Sequence, residues 1–204
     1  SAPISGDAGK GITKLGSGAV SLTAANIYSG LTTVSAGSLR IGNSGTGGSG
    51  TLTNSIITVA SGAELTLTYL DVTGYAVSLP LTNAGTIKQV SPFSETLYRP
   101  IILNGGTITS TTNGASNEAY NFFGGYIRTL AGTSNMITGV GNLGLRTSSC
   151  YFTNEAGSTL TIACPVQAYS GIWSAPLNKY GAGTLILTAV NTYAGSTMIY
   201  GGTL

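Results

Sequence analysis

The chain has 204 residues, of which only 7 % are charged, with a net charge of +2, 31 glycines and no histidine. The cations are scattered rather than clustered, which argues against a nucleic-acid partner, and no apolar run approaches the ~20 residues of a membrane-spanning helix. Without histidine the usual base of an acyl-transfer triad and any Cys/His zinc spacing are missing, while 42 % hydrophobic content in short Val/Ile/Leu clusters argues against disorder.

The chain opens at Ser1 without a Met or a signal peptide, as expected of a processed or excised segment of something longer. The first clear element is Gly18-Ala19-Val20-Ser21-Leu22. Its order of glycine, small or polar, aliphatic, any, aliphatic predicts a tight turn followed by a half-buried strand. The same pattern returns 19 residues later as Gly37-Ser38-Leu39-Arg40-Ile41. Following the first aliphatic predicts a ladder of Val20, Leu39, Leu65, Ile87, Ile108, Ile127, Leu143, Leu160, Leu185 and Leu204. Its spacing near 20 residues is that of a β-solenoid, whose coils pair in parallel with their neighbours. The second aliphatic runs Leu22, Ile41, Leu67, then Leu145, Ile162, Leu187, but Gln89, Ser110 and Thr129 interrupt it. Either the register shifts there or the coil is irregular. Helix is disfavoured throughout, because Gly, Thr, Ser, Val and Asn are poor helix formers.

A second strand, Thr32-Thr33-Val34, is matched by Thr197-Met198-Ile199. The Gly-rich run 42–50 has no Lys-Ser/Thr to make a phosphate loop and is expected to bulge outward. Residues 69–79 and 93–100 are expected to be loops or corners, since Pro80, Pro92 and Pro100 cannot donate to an interior ladder. Residues 117–128 concentrate aromatic side chains. Tyr120, Phe122, Phe123 and Tyr126 are a candidate ligand or partner surface for a glycan or a protein, or else a corner that packs its rings inward. Tyr169, Trp173 and Tyr180 form a looser group. Cys150 and Cys164 are a candidate disulfide, which would suit an oxidising compartment, or two buried thiols. The six acids, Asp7, Glu64, Asp71, Glu95, Glu118 and Glu155, fall on different rungs or loops. They form no carboxylate pair for glycoside hydrolysis and no cation constellation, so neither a metal nor a cofactor is expected.

The chain closes by repeating its beginning. Residues 12–39 and 177–204 align without a gap at an offset of 165, with 12 of 28 positions identical, and Ser1-Ala2-Pro3 resembles Ser174-Ala175-Pro176 as a lead-in. Asn26 and Asn191 recur in Asn-x-Tyr-x-Gly, where Asn is expected at a corner or in a stacked ladder.

KYGAGTLILTAVNTYAGSTMIYGGTL closely resembles the passenger-associated repeat of bacterial autotransporters, and residues 14–39 resemble a degenerate copy. The resemblance covers about 28 residues at each end and implies a right-handed parallel β-helix in a secreted or surface-displayed protein. It brings no catalytic residues with it. Parallel β-helices also include polysaccharide lyases, whose set of several Asp and a basic proton acceptor is not matched here. The expected protein is therefore all-β, a single β-helix segment over 1–204 of about nine to ten coils, with 40–176 between the repeats. Its expected role is a non-catalytic extracellular stalk, adhesin or fibre subunit. The alternatives are a lyase-like carbohydrate-active enzyme and a glycan-binding adhesin module. The expected partner is a second copy end to end, or further coils of a longer chain.

Overall fold

The computed structural model describes residues 2–42, 52, 54–68, 73, 78–92, 95–113, 118–122, 126–146, 150–169 and 174–204, with 95–97 and 118–122 described by their backbone. Short strands, each three to five residues, follow the Gly-led alternation and stack into three parallel sheets. The first sheet has nine strands: β1 (Ile12–Lys14), β3 (Thr32–Val34), β5 (Ile57–Val59), β7 (Leu81–Asn83), β10 (Ile101–Leu103), β13 (Tyr126–Thr129), β16 (Tyr151–Asn154), β19 (Leu177–Tyr180) and β21 (Thr197–Ile199). The second has eight: β2 (Ala19–Leu22), β4 (Ser38–Ile41), β6 (Glu64–Leu67), β8 (Thr86–Gln89), β11 (Thr107–Ser110), β14 (Ser134–Ile137), β17 (Thr159–Ile162) and β20 (Thr184–Leu187). The third has four: β9 (Glu95–Leu97), β12 (Glu118–Phe122), β15 (Asn142–Leu145) and β18 (Val166–Ala168). Each strand pairs in parallel with the equivalent strand of the next turn, so the chain is a parallel β-solenoid.

The structure differs from the nine to ten like coils expected. The three sheets hold nine, eight and four strands, so only four turns carry a described strand on the third side. That side also corrects the expectation of a loop over 93–100. Residues 95–97 form β9, which pairs with β12, and the prolines sit just outside it, where no ladder donor is required.

The aliphatic ladder is right at its ends and wrong in its middle. Val20, Leu39, Leu65, Ile87 and Ile108 lie in register on successive strands of the second sheet. The next partner of Ile108 is Ile137, not Ile127. Ile127 belongs to the first sheet, between Ile101 and Phe152, and Leu143 belongs to the third, beside Tyr120 and Val166. Leu160 and Leu185 are again partners. In a three-sided coil every side repeats with the same period, so a spacing near 20 cannot tell one side from another. The inward residues of the three sheets, including Val34, Leu39, Leu65, Ile87, Ile101, Phe152 and Leu185, form one continuous buried cluster.

Through Gln89 and Ser110 the register holds, and it moves by two residues only at the next step, where Ile108 meets Ile137 and Ile137 in turn meets Ile162. Leu67, Gln89 and Ser110 are consecutive partners, and both polar side chains are buried. Burial without a partner would be costly. Gln89 Nε2 donates to Ser91 O at 2.6 Å, Thr112 Oγ1 donates to Gln89 Oε1 at 2.8 Å, and Ser110 Oγ accepts from Gly141 N at 3.2 Å. Thr129 lies in the first sheet, with its hydroxyl bonded to Ser158 Oγ (2.7 Å) and Asn154 Nδ2 (3.0 Å). Residues 43–50 of the Gly-rich run, and most of 69–77, lie outside the described residues.

Candidate functional site

The residues identical in the two copies of the repeat act between turns. Lys14 and Lys179 are both buried. Lys14 Nζ donates to the carbonyls of Leu15 (2.9 Å), Gly16 (2.8 Å) and Ala36 (3.0 Å). Lys179 Nζ donates to Tyr180, Gly181 and Gly201, each at 2.9 Å. The six acceptors correspond one to one between the copies. An ammonium has three donors, and here all three are used: two on the corner of its own turn and one on the corner of the next. Burial lowers the pKa of Lys179 below its ordinary value. The lysine is a clamp between successive corners. Stability in a solenoid is a sum of nearest-neighbour terms, so Lys179→Met is expected to release the last turn alone. Hydrogen exchange should show residues 197–204 losing roughly 2 kcal/mol of local protection with the global unfolding midpoint almost unmoved.

Asn26 and Asn191 are brackets rather than members of an Asn ladder. Asn26 Nδ2 donates to Ala24 O at 2.8 Å, and its Oδ1 accepts Ile4 N at 3.0 Å. Asn191 Nδ2 donates to Ala189 O at 3.0 Å, and its Oδ1 accepts Val166 N at 2.9 Å. Each ties its own turn to the one below. The bonds also correct the lead-in. Ile4 occupies the place of Val166, so the counterpart of Pro3-Ile4 is Pro165-Val166; Ser174-Ala175-Pro176 abuts β19 directly. Tyr28 and Tyr193 donate to, or accept from, the Thr four residues on, at 2.8 and 2.7 Å. Thr32 passes the chain on to Ser55 Oγ at 2.6 Å, and Ser55 donates to Gly30 O at 2.6 Å. Burial raises the pKa of Tyr28, against the opposing pull of Thr32.

The candidate aromatic surface divides at a corner. The backbones of Tyr120 and Phe122 lie in β12, beside Leu143 and Leu145 of the third sheet. Phe123 lies outside the described residues. Tyr126 begins β13 in the first sheet, where it is in register with Tyr151. What the structure brings together is a row the sequence did not single out. Tyr151 and Tyr180 meet edge to face with centroids 5.6 Å apart, and Tyr180 stacks on Tyr200 at 4.5 Å and 9°. Tyr126, Tyr151, Thr153 and Tyr180 line a shallow trough on the outer face of the first sheet. The available signal was one tyrosine per turn. Beside the trough Arg128 and Glu155 are paired, and Glu155 Oε2 accepts Ala131 N at 2.9 Å. The Arg128 hydrogen bond, and then that of Ala131, lower the pKa of Glu155. Of the looser aromatic group, Tyr169 carries the Arg146 guanidinium 4.2 Å from its ring centre, and Trp173 lies outside the described residues.

Cys150 and Cys164 are separate thiols, both buried, rather than the two halves of a bridge. Burial pushes the Cys164 thiol up to about 11 from 9.0. Because the folded value is the higher one, its contribution to stability is complete below pH 9 and is lost as pH rises through about 11. Thermal melts from pH 8 to 11 should show a decline, worth about 2 to 3 kcal/mol at most, that Cys164→Ala removes. Among the described residues no group of three or more Cys, Asp or Glu could hold a metal. Glu64 lies 4.0 Å from Lys88 and bonds Thr66 at 2.7 Å.

The family model for the passenger-associated-transport-repeat matches residues 12–41 and 177–204. No curated protein and no solved structure matches the chain. The matched stretches include the residues whose side chains clamp one turn to the next, and the chain is a parallel β-solenoid whose two ends are similar to the passenger-associated-transport-repeat.

Proposed function

We propose that this chain is a non-catalytic, extended segment of a secreted or surface-displayed bacterial passenger, serving as a stalk or fibre element. The observation that carries this reading is the use made of the duplicated residues. Lys14/Lys179, Asn26/Asn191, Tyr28/Tyr193 and Thr32/Thr197 all bond within the stack. Gly30/Gly195 admit the neighbouring turn, since a Cβ there would lie 2.2 Å from Lys10 C and 2.1 Å from Ala175 O. The repeat therefore encodes length and rigidity. On intact producing cells an added protease should cleave the chain, or a specific antibody should label it; protection until lysis would overturn the reading. Incubation with acidic polysaccharides should release no unsaturated products.

A second reading rests on the tyrosine row. Rings spaced one per turn along a flat face, with hydroxyl-bearing Thr153 between them, suit a neutral glycan lying along the rod. A glycan array should then show binding that Tyr151→Ala and Tyr180→Ala each remove; silence of the unaltered protein would sink this reading.

A further inference from the structure

The tyrosines on the outer face of the first sheet do not all meet in the same way. Tyr151 meets Tyr180 edge to face, at 75° and 5.6 Å, whereas Tyr180 and Tyr200 lie within 9° of parallel with centroids 4.5 Å apart. The difference decides what the rings can do to one another. A bond between two phenol rings grows from their π lobes, which stand perpendicular to each ring. Parallel rings in contact present overlapping lobes, and an edge-to-face pair does not. The face is open along its side: Tyr126 and Tyr151, well inside the chain, are 37 % and 38 % exposed, so access does not depend on where the last turn lies.

The backbones that carry the parallel pair are fastened to each other. Lys179 and Ile199 are opposite in register, and Tyr200 N donates to Lys179 O at 2.8 Å. Lys179 Nζ holds Tyr180 O and Gly201 O, both at 2.9 Å, one from each turn. A corner that is already clamped therefore presents the two rings to each other, which leaves little ordering for a reaction to supply. The Tyr200 hydroxyl donates to the Met198 thioether at 3.0 Å, a weak acceptor that holds the phenolic hydrogen loosely. Other tyrosines are engaged elsewhere: Tyr28 and Tyr193 with the hydroxyls of Thr32 and Thr197, and Tyr169 with the Arg146 guanidinium.

We propose that Tyr180 and Tyr200 form an oxidative coupling site, at which hydrogen peroxide and a haem peroxidase convert the stacked pair into a dityrosine that staples the turn of β19 to the turn of β21. The peroxidase takes one electron and one proton from each phenol, and the peroxide receives them and leaves as two waters. The two phenoxyl radicals join through a carbon ortho to each hydroxyl, forming one C–C bond. The hydrogen on each of those carbons then moves to the oxygen of its own ring, which restores both phenols. The net change in the protein is the loss of two hydrogen atoms. The new bond crosses the same junction as the Lys179 clamp and, unlike the clamp, is not released by local opening. It needs only the oxidant at this face, so it stands or falls separately from surface display and from glycan binding.

Treatment of the whole chain with a haem peroxidase and hydrogen peroxide, followed by peptide mass mapping, tests the site. The unaltered protein should gain dityrosine fluorescence without joining two chains. The cross-linked peptides should contain Tyr180 and Tyr200 and be lighter by two hydrogens. Oxidation of Met198 adds an oxygen instead, so the two products separate by mass. Hydrogen exchange over residues 197–204 should slow roughly tenfold or more after coupling. Tyr180→Phe and Tyr200→Phe, which keep the ring and remove the phenol, should each abolish the product, while Tyr151→Phe should leave it. Coupling that maps to other tyrosines, coupling found only between chains, its survival in Tyr180→Phe or Tyr200→Phe, its loss in Tyr151→Phe, or no dityrosine at all would overturn the proposal.

Discussion

Arg99→Ala is expected to destabilise the fold by about 3–5 kcal/mol, the largest loss from any single side chain. Arg99 is completely buried. Its Nη1 donates to Ser55 O at 2.8 Å, and its Nη2 donates to Leu52 O at 2.9 Å and Thr73 O at 2.5 Å. The three acceptors come from two connecting segments that precede the strand neighbourhood of Arg99 by 26 to 47 residues. One planar fork thus satisfies carbonyls that the strand ladders leave over. Removing it strands buried acceptors and opens a large cavity at once. Arg99→Lys should recover less than half of the loss, because a single ammonium cannot span the same acceptors in a fixed plane. Unlike the two clamping lysines, Arg99 lies mid-chain, so the effect should appear in the global denaturation midpoint rather than as fraying of one end.

Gly85→Ala is expected to cost about 3 kcal/mol or more, and Gly62→Ala only about 1–2 kcal/mol. The two glycines sit at corners of adjacent turns and fail for different reasons. A Cβ on Gly85 would lie 2.3 Å from both Ala60 O and Ala63 O. These are backbone atoms of the turn below, and Thr86 N is bonded to Ala63 O at 2.9 Å, so the corner cannot yield without parting the sheets. Gly62 has φ +76° but open space around it, so alanine there incurs backbone strain alone. Denaturant unfolding of the two variants in parallel decides the matter. Equal losses would mean that conformational freedom, not close stacking, is what the corner glycines supply.

The sequence carries the repeating unit clearly and its three-sidedness poorly. Val20 through Ile108 could be aligned because four of the five rungs kept a glycine two residues before, and Leu65 kept Gly62 three before. The ladder then slipped at Ile127, because β13 also follows a glycine and also alternates, although it belongs to a different sheet. No local chemistry marks the side on which a strand will lie; only long-range pairing does, and that is a tertiary property. The third sheet was missed at β9 for a related reason. Prolines at 92 and 100 signal interruption, yet they lie just outside the strand and leave its donors free to pair.

The site divides the same way. Asn26 and Asn191 were legible as corner residues, though their reach to the turn below was not. Lys14 and Lys179 were visible as identities but not as clamps, because a lysine in a charge-poor chain usually lies at the surface. The tyrosine row was hidden because Tyr126, Tyr151, Tyr180 and Tyr200 are each a full turn apart, while the local cluster at 117–128 drew attention to residues that fold onto two sheets.

Cysteine cross-linking across one disputed register tests the stacked, three-sided solenoid most directly. In a Cys150→Ala, Cys164→Ala background, Thr107→Cys with Met136→Cys places thiols on adjacent strands in register. Thr107→Cys with Tyr126→Cys joins the positions that a simple 19-residue ladder would make neighbours, but that lie on different sheets. Under mild oxidation the first pair should cross-link efficiently and the second should not. Cross-linking of the second pair in preference to the first would contradict the stacking described here.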